Sequence, residues 1–260
     1  MPLQLPAPDT SHLSLSPLTL VVCQVRYDSN VQVADTGGAL YDAFKSDYPI
    51  FDTNASQDVG LVPSSSGIQA VPGPAAKGWK FQSKDNSWTV IVMQDFFALQ
   101  TIDYTNWDEY KERLRSLTQS IQLELSPNVE RRLGLRYVNR LADPAVTKPS
   151  DWIGRLHSSV LGPITHPAMG QSLNMMQALI QIDLGEDLQA IVRFGSAQER
   201  ELNKSWVYFL DNDCSREGGR PFSVHGIMEG VEVLHTNALQ LFQASLTETY
   251  FAQLKRGGSG

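Results

Sequence analysis

The chain has 260 residues, of which 42% are hydrophobic and 19% charged, and its formal net charge is −7. This length suits one large domain or two tightly joined halves with a real core. With 28 acidic against 21 basic residues, the composition argues against nonspecific wrapping of a nucleic-acid duplex, which needs a basic surface. The sequence contains no apolar run of about 20 residues, so no membrane-spanning helix is predicted. The first residues lack the pattern of a secretory signal.

Cysteine content and the two ends complete this first classification. Cys23 and Cys214 are too few for a disulfide framework or a four-thiolate zinc site, so a reduced, cytoplasmic protein without membrane contact is expected. Residues 1–14 are rich in Pro, Ser and Thr without an apolar period, which predicts a loose arm. Residues 257–260 read Gly-Gly-Ser-Gly and are interpreted as an appended linker outside the fold.

The first predicted elements are a strand, a short helix and a long connection. The apolar, β-rich run Leu18–Tyr27 predicts a strand, and residues 38–46 predict a helix. Residues 51–77 are rich in Gly, Pro and Ser with few large apolar anchors. A connection of this length is either functional or mobile, and its composition favours a mobile loop.

A hairpin, a further strand and a long helix follow. Residues 78–83 and 88–95 are joined by Lys-Asp-Asn, which is good hairpin chemistry. Residues 97–102 predict the next strand. Thr105 is expected to cap the helix that follows, because acidic residues in its first turn and apolar residues at helical spacing come directly after it.

The second half of the chain repeats this order of elements. Together the patterns predict an α+β fold of two pseudo-repeats, 15–126 and 127–256, in one compact unit with a curved antiparallel sheet and helices on one face. The other face would then be partly open to a ligand or partner. The predicted elements of this half are a strand at 131–141, a helix at 150–160, a hairpin of 172–183 and 188–194, a strand at 206–211 and a long helix at 223–255.

The strand at 131–141 carries an unusual row of positive charge. Strand alternation places Arg132, Arg136 and Arg140 on one face and puts Asn139 on the other. Three guanidiniums in file are suited to binding a phosphate chain or an acidic protein surface. Cross-strand pairing with carboxylates is the favoured alternative, and Asp211 and Asp213 share the parity that such partners need.

Catalytic motifs are not found in the sequence. There is no phosphate loop, dinucleotide fingerprint, zinc-protease motif or nucleophile elbow, so no catalytic residue, cofactor or metal is predicted. Asp211 and Asp213 resemble short acidic clusters that hold Mg²⁺, but a metal site needs further ligands. His235 falls on an apolar helical stripe, where a histidine is typically a hydrogen-bonded core residue.

Several segments together resemble a bacterial family of about 250-residue proteins of unassigned function that is sporadically distributed among genomes. The specific part is the strand motif Leu-Arg-Tyr-x-Asn-Arg at 135–140, and one departure is Gln24, where the family pattern has an acidic residue. The weaker matches include Pro17-Leu18, Val25-Arg26-Tyr27, Trp79–Ser83, Ile91–Asp95, Tyr104, Trp107, His235, Phe242 and Leu246-Thr247.

The resemblance implies no reaction or cofactor, and its scattered occurrence is typical of defence, toxin–antitoxin and CRISPR-accessory genes. The leading hypothesis is therefore a non-enzymatic protein-binding module in such a system, with Arg132, Arg136, Arg140 and Asn139 as candidate binding residues. The alternatives are nucleotide or single-stranded RNA binding along the arginine row, which the net charge disfavours, and a metal-dependent hydrolase using Asp211 and Asp213. The oligomeric state is left open.

Overall fold

A nine-stranded antiparallel sheet forms the framework, and α-helices accompany it. The computed structural model describes residues 3–28, 33, 36–55, 58–64, 67–72, 76–199 and 205–257, with residues 54–77 described by their backbone alone. The described strands are β1 Leu18–Tyr27, β2 Ile50–Ala55, β3 Asp58–Ser64, β4 Gly67–Pro72, β5 Ala76–Gln82, β6 Trp88–Val92, β7 Phe96–Thr101, β8 Val129–Ala142, β9 Met175–Gly185, β10 Leu188–Gln198 and β11 Trp206–Pro221. The described helices are α1 Gly37–Phe44, α2 Trp107–Leu125, α3 Ser158–Leu161, α4 Pro167–Ser172, α5 Val224–Ala244 and α6 Glu248–Arg256.

The opening strands of the two halves lie side by side in the middle of the sheet. The strand order is β2-β5-β6-β7-β1-β8-β11-β10-β9, and every neighbouring pair is antiparallel. Thus β1 lies between β7 and β8, and β8 lies between β1 and β11. Strands β3 and β4 pair separately and contact β10. The predicted α+β class with an antiparallel sheet is confirmed.

The main core lies between one face of the sheet and the two long helices. Residues Val21, Cys23 and Val25 of β1 point to this face, and their partners on β8 are Tyr137, Leu135 and Leu133 in register. Apolar residues at helical spacing on α2 and α5 bury against them. The fully buried helix residues of this core include Tyr110, Leu114 and Ile121 of α2 and Ile227, Val231 and Leu234 of α5.

The opposite face carries a smaller apolar cluster and a charged half. Val22, Ile91, Met93 and Ala98 form a buried cluster over the β1–β7–β6 part. Over β8 and β11 the same face presents arginines and carboxylates instead, as described below. The two faces therefore differ because alternation along each central strand sends apolar residues to the helices and mixed residues to the other side.

The predicted mobile loop at 51–77 is not what the structure contains. Strands β2, β3 and β4 and the start of β5 occupy this stretch, and β2 pairs with β5 at the edge of the large sheet. Backbone ladders of this kind need no large apolar side chains at every second position, so the few apolar anchors of the segment concealed them. Short strands rich in Gly, Pro and Ser have weak sequence signals.

Two predicted helices are also interrupted. The helix expected at 150–160 is a 3-10 turn at Pro149–Trp152 followed by the single turn of α3, because Gly154 adopts a φ of +89° that ends helical geometry. The helix expected at 223–255 divides into α5 and α6. Thr247 breaks it by capping α6, since its hydroxyl accepts the backbone N–H of Tyr250 at 3.3 Å.

The start of α2 lies one residue beyond the expected cap. Asn106 is the N-cap residue, and its side-chain oxygen accepts the N–H of Glu109 at 2.9 Å. Thr105 bonds instead to the carboxylate of Glu109. None of the described helices is both long enough and apolar enough to cross a membrane.

The first residues, expected as a loose arm, have neither helix nor strand from residue 3 to 14, yet they contact the last helices. Gln240 of α5 donates to the carbonyls of Leu5 and Pro6 at 3.1 and 2.9 Å. The hydroxyl of Ser14 donates to the Lys255 carbonyl at 2.8 Å. The interpreted linker lies outside the described residues except for Gly257.

Candidate functional site

The arginine row, defined as Arg132, Arg136 and Arg140, projects from β8 on the face opposite the long helices. Each of the three guanidiniums meets at least one carboxylate within 4 Å, and these carboxylates come from β11 or from Glu199, just after β10. The common direction follows from the alternation of β8. The row therefore forms a line of cross-strand ion pairs.

Arg136 and Asp211 form the most buried of these pairs. Arg136 Nε and Nη2 donate to the two Asp211 carboxylate oxygens, both at 2.7 Å, and the side chain of Asp211 is only 1% exposed. Arg193 of β10 adds a third contact at 3.4 Å. Burial would lower the pKa of Arg136, but the hydrogen bonds and charge of Asp211 outweigh burial and raise it, so this guanidinium stays charged.

Arg132 sits between two carboxylates of β11. Its Nε donates to Glu217 at 2.9 Å and its Nη2 to Asp213 at 3.4 Å. Burial raises the pKa of Asp213 although Arg132 and Arg136 oppose that shift. Asp213 is therefore held less favourably as an anion than an aspartate in water.

Arg140 closes the row at its other end. Its Nε donates to Glu199 Oε1 at 2.8 Å, and its Nη2 contacts the second oxygen of the same carboxylate. The hydrogen bonds that Arg140 donates to the Glu199 carboxylate raise the pKa of Arg140. Arg136 and Arg140 thus form bidentate pairs, and Arg132 contacts two carboxylates, so each guanidinium of the row is held by two contacts.

This arrangement can brace the sheet, and its chemistry does not favour an anionic ligand. A phosphate chain would have to displace carboxylates that already satisfy the guanidiniums in parallel geometry. Asp211 and Asp213, predicted as pairing partners by parity, both contact arginines of the row. Buried pairs of this kind depend on both members being present.

Asn139 does not join the arginines. It lies on the helix side of β8, where its side-chain amide donates to the Leu210 carbonyl at 3.3 Å and only 5% of the residue is exposed. Alternation predicts this separation. One ligand therefore cannot contact Asn139 and the arginine row on the same surface.

Asp211 and Asp213 are not placed as a metal centre. Both carboxylate oxygens of Asp211 accept from Arg136. Within the described ranges, no three His, Cys, Asp or Glu side chains come together as metal ligands. The hydrolase alternative gains no geometric support from this pair, because a divalent cation needs several oxygen ligands at once.

The sequence reasoning missed several members of the ion-pair network. Arg193 shares the alternation of β10, so register with Asp211 would have found it. Glu217 and Glu199 lie beyond the predicted strand ends and gave no signal. The pair Arg216–Glu130 was also missed, with N–O distances of 2.9 Å and a glutamate side chain 2% exposed on the helix side of the sheet.

An unusual edge lies at the end of the charged half. Strand β9 pairs with β10 along its whole length and has no neighbour on its outer side among the described residues. Met175, Leu179 and Ile180 are 44, 60 and 41% exposed. Residues 175–182 contain no charged residue and no proline. Edge strands usually carry charged residues or prolines, because an edge without them pairs with other chains.

Comparisons with known proteins assign no family or function to the chain. No protein-family model matches the sequence, and no curated protein matches it.

Proposed function

We propose that the chain is a non-enzymatic protein-binding module whose docking element is the edge strand β9. The observation that carries this proposal is the long, uncharged, apolar outer edge at residues 175–182. An extended segment of a partner protein adds to such an edge as a further strand. Backbone hydrogen bonds then supply affinity, and alternate side chains supply specificity.

The regular pairing of β9 supports this role. Its register with β10 is unbroken from Met175 to Asp183 and shifts only at the hairpin turn. The edge is therefore free of bulges over about the length of a bound peptide strand. Leu179 lies opposite Arg193 in the register, so the exposed leucine stands beside the braced charged face. The partner segment is one with apolar residues at alternate positions and no requirement for charge.

In this proposal the arginine row holds the docking edge in position and does not contact the partner. The pairs Arg136–Asp211 and Arg193–Asp211 join β8, β11 and β10 in sequence, and β9 is the next strand outward. The nucleotide and RNA alternative would require these guanidiniums to exchange carboxylates for phosphates. No contact among the described residues favours that exchange.

Affinity capture from the native host with matched variants tests the proposal. Leu179→Glu places a carboxylate on the edge opposite Arg193, so it preserves the fold while opposing strand addition. Leu123→Glu is the control, because Leu123 is 79% exposed on α2, away from the edge. We expect a specific protein that wild type and Leu123→Glu recover equally and that Leu179→Glu recovers at least about tenfold less, the effect of roughly 1.4 kcal/mol.

Three results would count against this function. The first is that wild type recovers no specific protein. The second is that Leu179→Glu retains the captured protein as well as wild type does. The third would come from light scattering, if wild type is a dimer and Leu179→Glu is a monomer. That result would identify a second copy of the chain, not another protein, as the occupant of the edge. Far-UV circular dichroism checks that both variants remain folded.

Two further elements are proposed with this function. The chain resembles the sporadic bacterial family through residues 135–140, and we expect the partner among products of neighbouring defence genes. We also propose that residues 15–126 and 127–256 are pseudo-repeats, which the central placement of β1 beside β8 supports. Separate expression of residues 15–126 and residues 127–256 tests the pseudo-repeats. We expect the two fragments to complement one another when they are mixed in solution.

A further inference from the structure

A cavity of about 560 Å³ lies on the helix side of the sheet, remote from β9. Three separate parts of the chain enclose it: the segment around residues 9–18, the start of α2 and the exposed side of α5. Its size is that of a site for a small organic molecule. Tyr137 and Asn139 of β8 form part of its lining, so the face of β8 opposite the arginine row contributes to it.

Aromatic rings dominate the inner wall. The Trp107 and His235 rings are stacked with centroids 3.9 Å apart and an interplanar angle of 6°. Tyr104 and Tyr137 lie beside them with centroids 6.2 Å apart. The Tyr137 hydroxyl and His235 Nδ1 are hydrogen-bonded at 2.6 Å, which holds the imidazole in place. The cavity thus has a rigid aromatic wall with polar edges.

The charged groups that line the cavity are acidic. Asp9, Asp108 and Glu232 contribute to its surface, and no lysine or arginine of the described chain does. Lys111 pairs with Glu232 at 2.7 Å and lies 3.6 Å from Asp108, and Lys255 pairs with Asp9 at 2.6 Å. Neither lysine lines the cavity, and three carboxylates against two ammonium groups leave a net charge of −1 beside it. Burial lowers the pKa of His235 to about 4, so this imidazole adds no positive charge at neutral pH.

The carboxylate of Glu232 is also fixed in position. Burial alone would raise the pKa of Glu232, but hydrogen bonds from Lys111 and from the Trp107 indole N–H lower it. The indole donates to Glu232 Oε2 at 2.9 Å. A permanent anion therefore stands at the edge of the aromatic stack.

The outer wall is held by specific bonds as well. Gln243 of α5 accepts the Asp9 N–H at 2.9 Å and donates to the Asp9 carbonyl at 2.7 Å. The backbone N–H of Leu15 donates to the Leu254 carbonyl at 3.0 Å. These contacts close the cavity on the side of residues 9–18 and give it a defined shape.

We propose that this cavity binds a small organic cation, an ammonium group carried on a flat apolar stem. Aromatic ring faces attract cations through their quadrupoles. Glu232 already accepts one hydrogen bond on each oxygen, from Lys111 and Trp107, so the N–H groups would share its remaining lone pairs and bind the Asp108 carboxylate, whose side chain is 93% exposed. The apolar stem fits against Leu239 and Phe242. The proposal is independent of the edge strand, because no residue of β9 lines the cavity.

Three probes with one common stem separate charge from shape. Phenethylamine is a cation at pH 7, 2-phenylethanol is neutral and phenylacetate is an anion. Titration calorimetry should show phenethylamine binding about tenfold or more tightly than 2-phenylethanol, as a charge-assisted contact implies, with no heat from phenylacetate. Absence of binding by phenethylamine overturns the proposal, and so does equal or tighter binding of phenylacetate.

Two variants connect the binding to the cavity. Glu232→Gln should weaken phenethylamine binding about tenfold, the effect of losing one charge-assisted contact. Glu229→Gln is the control, since Glu229 lies on the same helix with a side chain 68% exposed and does not line the cavity. Thr236→Tyr fills the cavity from an exposed position and should abolish binding without touching the ion pairs. Unchanged affinity in both Glu232→Gln and Thr236→Tyr would place the probe elsewhere and refute the assignment.

Discussion

Replacing Arg136 with methionine tests whether the arginine row braces the sheet. Methionine keeps most of the apolar stem that the arginine packs, while it removes the guanidinium. Asp211 would then remain 1% exposed with only the Arg193 contact at 3.4 Å. The change therefore isolates the charge pair from the packing around it.

The magnitude follows from the geometry of the pair. At 2.7 Å and an effective dielectric constant of about 20, two unit charges attract by about 6 kcal/mol. Desolvation of both ions offsets much of that attraction. Removing one member of a buried pair nevertheless costs about 3–5 kcal/mol, because the remaining charge is left uncompensated. Arg193 compensates Asp211 in part, so we expect Arg136→Met to lower the free energy of unfolding by about 3 kcal/mol.

Urea denaturation of a double-mutant cycle measures this effect. Urea is preferable to guanidinium chloride, since the latter is a salt and screens charges. The cycle comprises Arg136→Met, Asp211→Asn and the double variant, and we expect a coupling free energy of about 2 kcal/mol. Arg26→Met is the control, because the Arg26–Asp95 pair is 45 and 49% exposed and should contribute less than about 1 kcal/mol.

A different outcome of the cycle would refute the brace. If the two single losses add within about 0.5 kcal/mol in the double variant, Arg136 and Asp211 do not stabilise one another. Equal losses in Arg136→Met and Arg26→Met would likewise show that burial does not determine the contribution. Either result would also remove the reason for treating β10 and β9 as a rigid docking edge.

The remaining predictions concern pH and packing. Burial raises the pKa of Asp213, so Asp213→Asn should stabilise the fold at pH 7 in urea titrations, with a gain that shrinks as the pH falls towards 4. A variant less stable than wild type at pH 7 would refute this. The pKa of His235 is lowered from 6.5 to about 4, so as the pH falls the unfolded chain binds a proton before the folded chain does. The free energy of unfolding of wild type should therefore fall by about 3 kcal/mol relative to that of His235→Gln between pH 7 and pH 4. Parallel stability curves for the two proteins would contradict this. In thermal unfolding, Gly195→Ala should destabilise the fold by about 2–3 kcal/mol, because its Cβ would lie 2.1 Å from a backbone oxygen of β9. Gly38→Ala is the control: it faces open space on α1 and should stabilise the fold by about 0.5–1 kcal/mol. Similar effects of the two substitutions would refute the contact.

Elements with a clear period were predictable from the sequence. The alternation of β1 and β8 and the helical spacing of α2 each reflect burial on one side, so periodicity located them to within a few residues. The same alternation predicted that Arg136 and Asp211 share a face. Local pattern sufficed because both side chains project at right angles to strands that pair directly.

Features that depend on distant contacts were not predictable. Glu199 follows β10 and reaches Arg140 across 59 residues of sequence, and no local pattern marks it as a partner. The break that Thr247 caps before α6 coincides with a backbone bridge between Leu246 and Leu156, which lies 90 residues away in the sequence. The cavity needs segments from the beginning, the middle and the end of the chain, and each of them alone has the pattern of an ordinary arm, helix cap or core stripe.

The acidic balance of the chain gains a structural explanation from the ion pairs. Among the described residues, ten of the twelve arginines lie within 4 Å of a carboxylate, and Arg136 on the charged face is the most buried of the ten, with 12% of its side chain exposed. Positive charge is therefore used inside the molecule, where it joins strands, and the net charge of −7 is left to act outward. A negative field raises the local concentration of cations and repels phosphate. The uncharged edge of β9 and the acid-lined cavity both fit that field, whereas an anionic ligand along the arginine row would oppose it.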